Sequence, residues 1–373
     1  MYLTSLLFYF ITILFVFYLC REGESRGSKK HIIFAYFILW LISVIRFDIG
    51  NDYDNYVSYI NEIVKLYEMK YTPISVFHYY DGRMELSLCF VTYVFQSFDT
   101  PYFWVIAFYS TAFYIFLYLA LDATDSHSIG LLLVFISGFL FCSWDWIRQG
   151  LAIVIVLYSF THLLNSNKLL YFIYLGIAVM VHYSAFVGIL FIIFNYFNIK
   201  NTIAIALVIA ILFLYLFNVF NNSVEYIGLY FRYLGIYDAY SDTAATIRTF
   251  TSWNYKIRTI FYSILWTSII FVTPTSLKIG KNALFIGIII FIIGSGSLAF
   301  TRIAWFFIAP SFCLLKDALL FDKSIKLFII SIIIVMCGLL ARDISINKNC
   351  RGCSPYETIF SEDFDSQRFR IDD

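Results

Sequence analysis

Apolar runs dominate the chain, at about residues 2–19, 31–45, 86–98, 102–121, 129–144, 147–164, 169–197, 202–220, 259–275, 283–300, 303–320 and 327–340. Most approach the roughly 20 residues a helix needs to cross about 30 Å of hydrocarbon. No soluble domain intervenes. The pattern predicts an all-α polytopic integral membrane protein of about 12 transmembrane helices, with residues 1–373 forming a single polytopic membrane domain. It carries two sizeable outer loops, about 46–101 and 221–258, and an outer tail, 341–373. Met1 to Leu19 has no basic leader and no small-residue cleavage site, so it reads as a retained first span.

Composition narrows the class. Of 373 residues, 61% are hydrophobic and only 14% charged, with a mean hydropathy of +0.79; a water-soluble domain carries nearer a quarter charged residues. A soluble enzyme is excluded. The 26 basic residues against 25 acidic ones leave a formal charge of +1, so there is no basic surplus to bind nucleic acid.

Basic residues set the sides, because short cytoplasmic loops collect Lys and Arg. Arg21, Arg26, Lys29 and Lys30 mark the first inner loop, and Lys278 with Lys281, then Lys316 with Lys323 and Lys326, mark two later ones. Both termini are then outside, together with residues 46–85, which hold four basic and seven acidic residues. Between 86 and 201 two schemes satisfy these markers. In the favoured one, segment 86–98 is too short to cross and lies at the surface or re-enters, while 169–197 folds back at His182-Tyr183-Ser184, leaving Arg148 and His182 outside. In the other, 86–98 crosses and 169–197 is one long tilted helix with His182 mid-membrane.

An ionisable group at a helix centre costs about 2.5–3.5 kcal/mol on insertion scales, so the few near apolar runs are functional candidates. Arg46, Asp48 and Asp52 cluster after the second run, where a Gly50-Asn51 turn lets the carboxylates point back toward Arg46; the plainer alternative is a solvated acidic loop beside a snorkelling arginine. Glu85 opens the segment 86–98, where a carboxylate also favours a helix start. Arg148 lies in Trp144-Asp145-Trp146-Ile147-Arg148-Gln149-Gly150. It reads either as an interfacial anchor or, three residues from Asp145 on one helical face, as part of a pair or a phosphate site. His182 interrupts the longest apolar stretch and is either a hydrogen-bonded core group or an acid–base. Arg302 follows Gly294-Ser295-Gly296-Ser297, whose small residues permit close helix packing that turns the arginine toward the bundle.

In loop 221–258, Arg232, Arg248 and Arg258 interleave with Trp253 and several tyrosines. That pattern suits glycan or lipid-headgroup contacts, or an interfacial aromatic belt. Cys20, Cys89, Cys142, Cys313 and Cys337 lie in or beside apolar runs as small hydrophobes. Cys350 and Cys353, in a polar tail without a second pair or a suitably spaced histidine, read as a local disulfide or as two thiols rather than a zinc site. No phosphate-binding glycine loop, H-E-x-x-H, G-x-S-x-G or D-x-D motif is present, so no metal or cofactor is expected.

The order of these pieces resembles the EpsG family, whose members look like Wzy-type O-antigen and exopolysaccharide polymerases. The resemblance rests on Arg46-x-x-x-Gly50-x-Asp52-Tyr53-x-x-Tyr56, Glu85 at a helix start, Ile147-Arg148-Gln149-Gly150-Leu151-Ala152, His182-Tyr183-Ser184-Ala185, Arg302 and Pro355-Tyr356, from about residue 40 to 360. Where such proteins often read Glu-Pro-Gly, this chain has Glu85-Leu86-Ser87. The resemblance implies a glycosyltransferase of the bacterial inner membrane. It would move a growing glycan from undecaprenyl pyrophosphate to a lipid-linked repeat unit at the outer face, with a chain-length regulator and a flippase as candidate partners. On that reading Arg148 and Arg302, with Arg46, stabilise the departing pyrophosphate. Asp52 is the first choice of general base, ahead of His182 and Glu85. The competing assignments are an O-antigen ligase, a lipid-linked oligosaccharide flippase and a structural envelope subunit.

Overall fold

A computed structural model describes residues 2–81, 84–197, 199–220, 253–273, 277–296, 298–319, 323–345 and 353–360. Regular structure among them is helical, apart from one isolated antiparallel bridge between Arg46 and Thr358. Backbone packing divides the chain into two units, residues 1–186 with 340–373, and residues 187–339.

The first unit opens with a helical hairpin, α1 (Tyr2–Arg26) and α2 (Lys29–Val44), turned at Gly27 with φ of +64°. One stripe of α1 buries Tyr9, Ile13, Val16 and Cys20 while the opposite stripe exposes Leu3, Leu7, Ile11 and Leu14. A helix apolar on both faces has a hydrocarbon side as well as a protein side. By contrast, α3 (Tyr53–Glu68) is amphipathic, burying Tyr53, Tyr56, Ile60 and Ile63 and exposing Asp54, Glu62 and Lys65. A short α4 (Pro73–Tyr79) follows, with the Thr72 hydroxyl accepting the Ser75 N–H at 3.2 Å. The expected outer loop 46–101 is therefore mostly helix.

The next helices are α5 (Leu86–Phe95) and α6 (Pro101–Asp122). Ser87 meets Tyr109 at 3.0 Å, whereas Phe95 lies against Trp104 and Phe108. Consequently α5 runs antiparallel to α6, and both its ends lie beside the first half of that helix. Ten residues rise only about 15 Å, so α5 alone is too short to cross about 30 Å of hydrocarbon.

Three further breaks shape the remaining helices. Gly138, with φ of +72°, separates α7 (His127–Ile136) from α8 (Phe139–Asp145), which bend by 66°. Trp146, at φ −107° and ψ 62°, separates α8 from α9 (Ile147–Leu164). His182 adopts an extended backbone, φ −156° and ψ 124°, and ends α10 (Lys168–Val181). Beyond it come a 3-10 segment, Tyr183–Ile189, and the short α11 (Leu190–Phe194). The 14 residues of α10 place Lys168 about 20 Å from His182, at the end of the first unit where Lys29 pairs with Asp122 and Ser128 bonds Glu24.

The second unit contains α12 (Asn201–Leu216), α13 (Trp253–Val272), α14 (Lys278–Ile293), α15 (Leu298–Ile308) and α16 (Ser311–Leu319). Trp266 of α13, fully buried, stacks on Tyr262 and meets Phe291 of α14 and Trp305 of α15 edge-on. Gly287 lets α14 and α15 touch, because a Cβ there would stand 2.9 Å from that of Phe307. A last helix, α17 (Lys323–Ser345), leads to the tail.

Among the described residues four helices are long and apolar enough to cross a membrane, or five if the bent α7–α8 pair is one span. That is fewer than the twelve expected. Three of the expected runs are broken, 129–144 at Gly138, 169–197 at His182, as the favoured scheme expects, and 303–320 at Pro310 between α15 and α16, while α2, α12 and α14 have 16 residues each. A proline lacks the N–H of the helical ladder and clashes with the preceding turn.

Candidate active site

The site forms where segment 46–56 locks against segment 143–150. Gly50 has φ of +112°, and a Cβ there would meet the Trp144 carbonyl oxygen at 3.2 Å, so both its conformation and its neighbour demand glycine. The Asp52 N–H donates to Asp145 Oδ1 at 3.1 Å, and Trp144 Nε1 donates to Ser43 Oγ at 2.8 Å. On the other side Gly150 permits the sharp α8–α9 turn, since a Cβ would fall 2.9 Å from the Ser143 Cα. That turn moves Asp145 and Arg148 onto separate helices. The expected shared helical face does not exist, because Trp146 breaks the helix between them.

Arg148 occupies the first turn of α9, where the helix dipole disfavours a cation. Compensation comes from Glu85, whose Oε2 accepts from Arg148 Nη1. The Glu85 side chain is 7% exposed, that of Arg148 18% and that of His182 15%. The guanidinium also lies over the Tyr56 ring, 5.5 Å from its centroid. His182 Nε2 stands 3.5 Å from Glu85 Oε1. Its Nδ1 accepts the Ser184 N–H at 3.2 Å and lies 2.8 Å from the Ser184 hydroxyl, which in turn accepts from Gln149 Nε2 at 3.3 Å. With Nδ1 an acceptor, the hydrogen-bond pattern assigns the ring proton to Nε2, facing Glu85. Three sequence candidates, Glu85, Arg148 and His182, thus form one cluster.

Ser87 holds this cluster in place. Its hydroxyl lies 3.0 Å from Tyr109 OH and donates to the Val181 carbonyl at 3.3 Å, tying the start of α5 to the residue before His182. Ser87 and Tyr109 escape sequence reading, because a serine and a tyrosine inside apolar runs carry no distinguishing pattern. Tyr109 is the ninth residue of α6, which puts the cluster roughly 12 Å along that helix from its start. The polar site is recessed.

Arg46 lies deeper still. It is 2% exposed. Its Nη1 donates to the Ser43 carbonyl and to Ser110 Oγ at 3.1 Å, and its Cζ sits 5.6 Å from the Trp144 ring centroid. The tail closes over it. Phe47 N–H donates to the Glu357 carbonyl at 3.1 Å and Ile359 N–H to the Ile45 carbonyl at 2.9 Å. Tyr356 donates its hydroxyl to the Ile42 carbonyl at 2.8 Å, gives its N–H to Ser5 Oγ at 2.9 Å and stacks on Phe8. The N-terminal end of α1, the C-terminal end of α2, the cluster and the tail share one end of the first unit.

Asp52 caps α3 and stands beside Asp145, its Oδ1 accepting from Asn55 Nδ2 at 3.5 Å. Arg302 is half-buried in α15 of the second unit. Arg258 and Trp253, expected in an outer loop, belong to the first turns of α13, where Lys256 lies over the exposed Trp253 ring and bonds the Leu216 carbonyl. Arg232, Arg248 and Cys350 lie outside the described residues. Among the described residues no three His, Cys, Asp or Glu side chains gather as metal ligands.

The architecture defines a multi-pass helical membrane protein with a recessed guanidinium–carboxylate–imidazole site. The EpsG family model matches residues 29–358, and the chain belongs to the EpsG family, which associates it with polysaccharide-polymerase-type membrane proteins. No curated protein and no solved structure matches the chain.

Proposed function

We propose that this protein is a glycan polymerase of the bacterial inner membrane, acting at the outer face on undecaprenyl-pyrophosphate-linked repeat units. The observation that carries this reading is the convergence of Arg148, Glu85 and His182 from three helix ends at one recessed point. Transfer from a lipid diphosphate needs a cation for the leaving group and a base for the attacking hydroxyl. Both stand here within contact of each other. In the reaction the anomeric carbon of the donor glycan bonds to the acceptor oxygen, its bond to the pyrophosphate oxygen breaks, and undecaprenyl pyrophosphate leaves with the electron pair. The acceptor proton passes to the Glu85–His182 pair.

Arg148 is the principal pyrophosphate contact in this reading. Arg46, enclosed by Ser43, Ser110, Trp144 and the tail, contributes positive potential from behind the site and fixes the segment that carries Gly50 and Asp52. Asp52 is the second candidate for base. Arg302 keeps a proposed part in stabilising the leaving group, and Arg258 and Trp253 in contacting glycan or lipid; each is tested by its own alanine variant.

The test is deletion of the gene in the native host, followed by gel separation of surface polysaccharide. Loss of the size ladder with retention of single units supports a polymerase. Long polymer left on its carrier would instead identify a ligase, and an unchanged ladder would refute both.

A further inference from the structure

Glu85 and Arg148 are each other's charge partner in a recessed site. A diphosphate approaching Arg148 therefore meets a position already held by a carboxylate. We propose that donor binding works by ion-pair exchange: the lipid diphosphate takes Arg148 from Glu85, and the released carboxylate becomes the proton acceptor for the incoming sugar hydroxyl. This inference rests on the polymerase reading and adds an order of events to it.

Three features of the cluster support the exchange. The first is that the pair is weakly committed to its present geometry on the arginine side. Arg148 Nε is buried without a hydrogen-bond partner, and apart from Glu85 the guanidinium is held by a neutral side chain, Tyr56, through a hydrogen bond and the ring 5.5 Å away, so among the described residues Glu85 is the one anionic partner a diphosphate has to replace. The second is that Glu85 does not lose its surroundings when Arg148 leaves. It sits at the N-terminal cap of α5, a favourable place for a carboxylate, and His182 Nε2 remains 3.5 Å from its other oxygen. The third is that His182 is fixed from behind by Ser184 and Gln149, so its Nε2 proton stays aimed at Glu85.

The charges explain why such a mask is useful. Burial raises the proton affinity of the Glu85 carboxylate, and while Arg148 is paired its charge offsets part of that rise, so the carboxylate is a weaker base than it is unpaired. Once a diphosphate has drawn the guanidinium away, the same carboxylate is left in a recessed, poorly solvated position next to a dianionic group. Both changes raise its proton affinity. Its basicity is then greatest when a donor is in place, and water or a stray hydroxyl meets a weaker base in the empty site. The proton balance closes: the acceptor O–H proton goes to Glu85 as the acceptor oxygen bonds the anomeric carbon, and the pyrophosphate departs with the bonding pair on Arg148.

The exchange makes an unusual demand on a catalytic carboxylate, namely that removing its charge should improve binding of the leaving group. The experiment uses the full chain in lipid nanodiscs, with undecaprenyl pyrophosphate and undecaprenyl monophosphate as probes and chain elongation as a separate readout. Glu85→Gln is expected to bind undecaprenyl pyrophosphate on the order of tenfold more tightly than the unaltered protein, one charge-assisted contact's worth, while elongating nothing. Glu85→Asp, which keeps the base but shortens its reach to Arg148, is expected to gain affinity and keep partial elongation. Arg148→Ala is expected to lose the preference for diphosphate over monophosphate. If Glu85→Gln abolishes elongation yet binds the diphosphate no more tightly, the exchange is wrong and the polymerase reading stands. If Glu85→Gln and Arg148→Ala both elongate normally, the polymerase reading of this site is wrong as well. Circular dichroism and thermal unfolding identify variants that fail to fold, and Glu85→Asp then decides the outcome.

Discussion

Arg148 reaches from the first turn of α9 to the carboxylate of Glu85, 63 positions earlier in the chain, and the two close a polar contact inside a largely apolar bundle. Removing either partner strands a charge that the surroundings solvate poorly. Glu85→Ala and Arg148→Ala are each expected to destabilise the first unit by about 3–5 kcal/mol, the cost typical of breaking a buried pair. The double variant is expected to lose clearly less than the sum. A double-mutant cycle on thermal or denaturant unfolding measures that coupling, and strict additivity would contradict the pairing.

The contact between Gly50 and Trp144 invites a sharper steric test. With φ of +112° and a backbone oxygen 3.2 Å from the position of an added Cβ, Gly50→Ala introduces strain and a clash together. A loss of about 1–3 kcal/mol is expected. Loss of activity should follow, because the displaced segment carries Asp52 and packs on the Trp144–Arg148 turn. An alanine variant as stable and active as the parent would show that the two segments do not interlock.

Tyr356 anchors the tail through two hydrogen bonds and a ring stack. Tyr356→Ala is expected to release residues 353–360, and hydrogen exchange offers a local readout. The amides of Phe47 and Ile359, which bond across the bridge to Glu357 and Ile45, should lose protection while amides in the middle of α9 keep theirs. Unchanged protection at Phe47 would mean that the tail does not hold this segment.

The placement of Lys168 and His182 at opposite ends of α10 yields a topological expectation. A reporter fused at Asn165 to Lys168 should report the cytoplasmic side, and one placed after Tyr183 the outer side. A signal from the outer side at Asn165 to Lys168 would instead require 86–98 to cross, which the roughly 15 Å length of α5 disfavours.

Much of the site was legible because its residues are exceptions to their surroundings. A lone glutamate, arginine and histidine among apolar runs must have reasons to be there, and the three do meet. The break at His182 was legible too, since 29 apolar residues from 169 to 197 exceed one comfortable span. The pairing of Arg148 was not. Sequence spacing offered Asp145 as its partner, and only the non-helical backbone of Trp146, set by tight packing of Gly150 on Ser143, redirects the arginine to Glu85. Helix lengths were obscured for a similar reason. Gly138 and Pro310 sit inside runs whose hydropathy gives no sign of a bend. The enclosure of Arg46 depends on a tail more than 300 residues away, a distance at which no local pattern carries information.

The most direct test of the account is turnover by the purified full chain in nanodiscs supplied with an undecaprenyl-pyrophosphate-linked repeat unit, following both glycan length and release of undecaprenyl pyrophosphate. The unaltered protein should lengthen the glycan and release one carrier diphosphate per added unit, and Arg148→Ala should do neither while remaining folded. Lengthening by Arg148→Ala at the parental rate, or no lengthening by the unaltered protein under conditions where it binds the substrate, would contradict it.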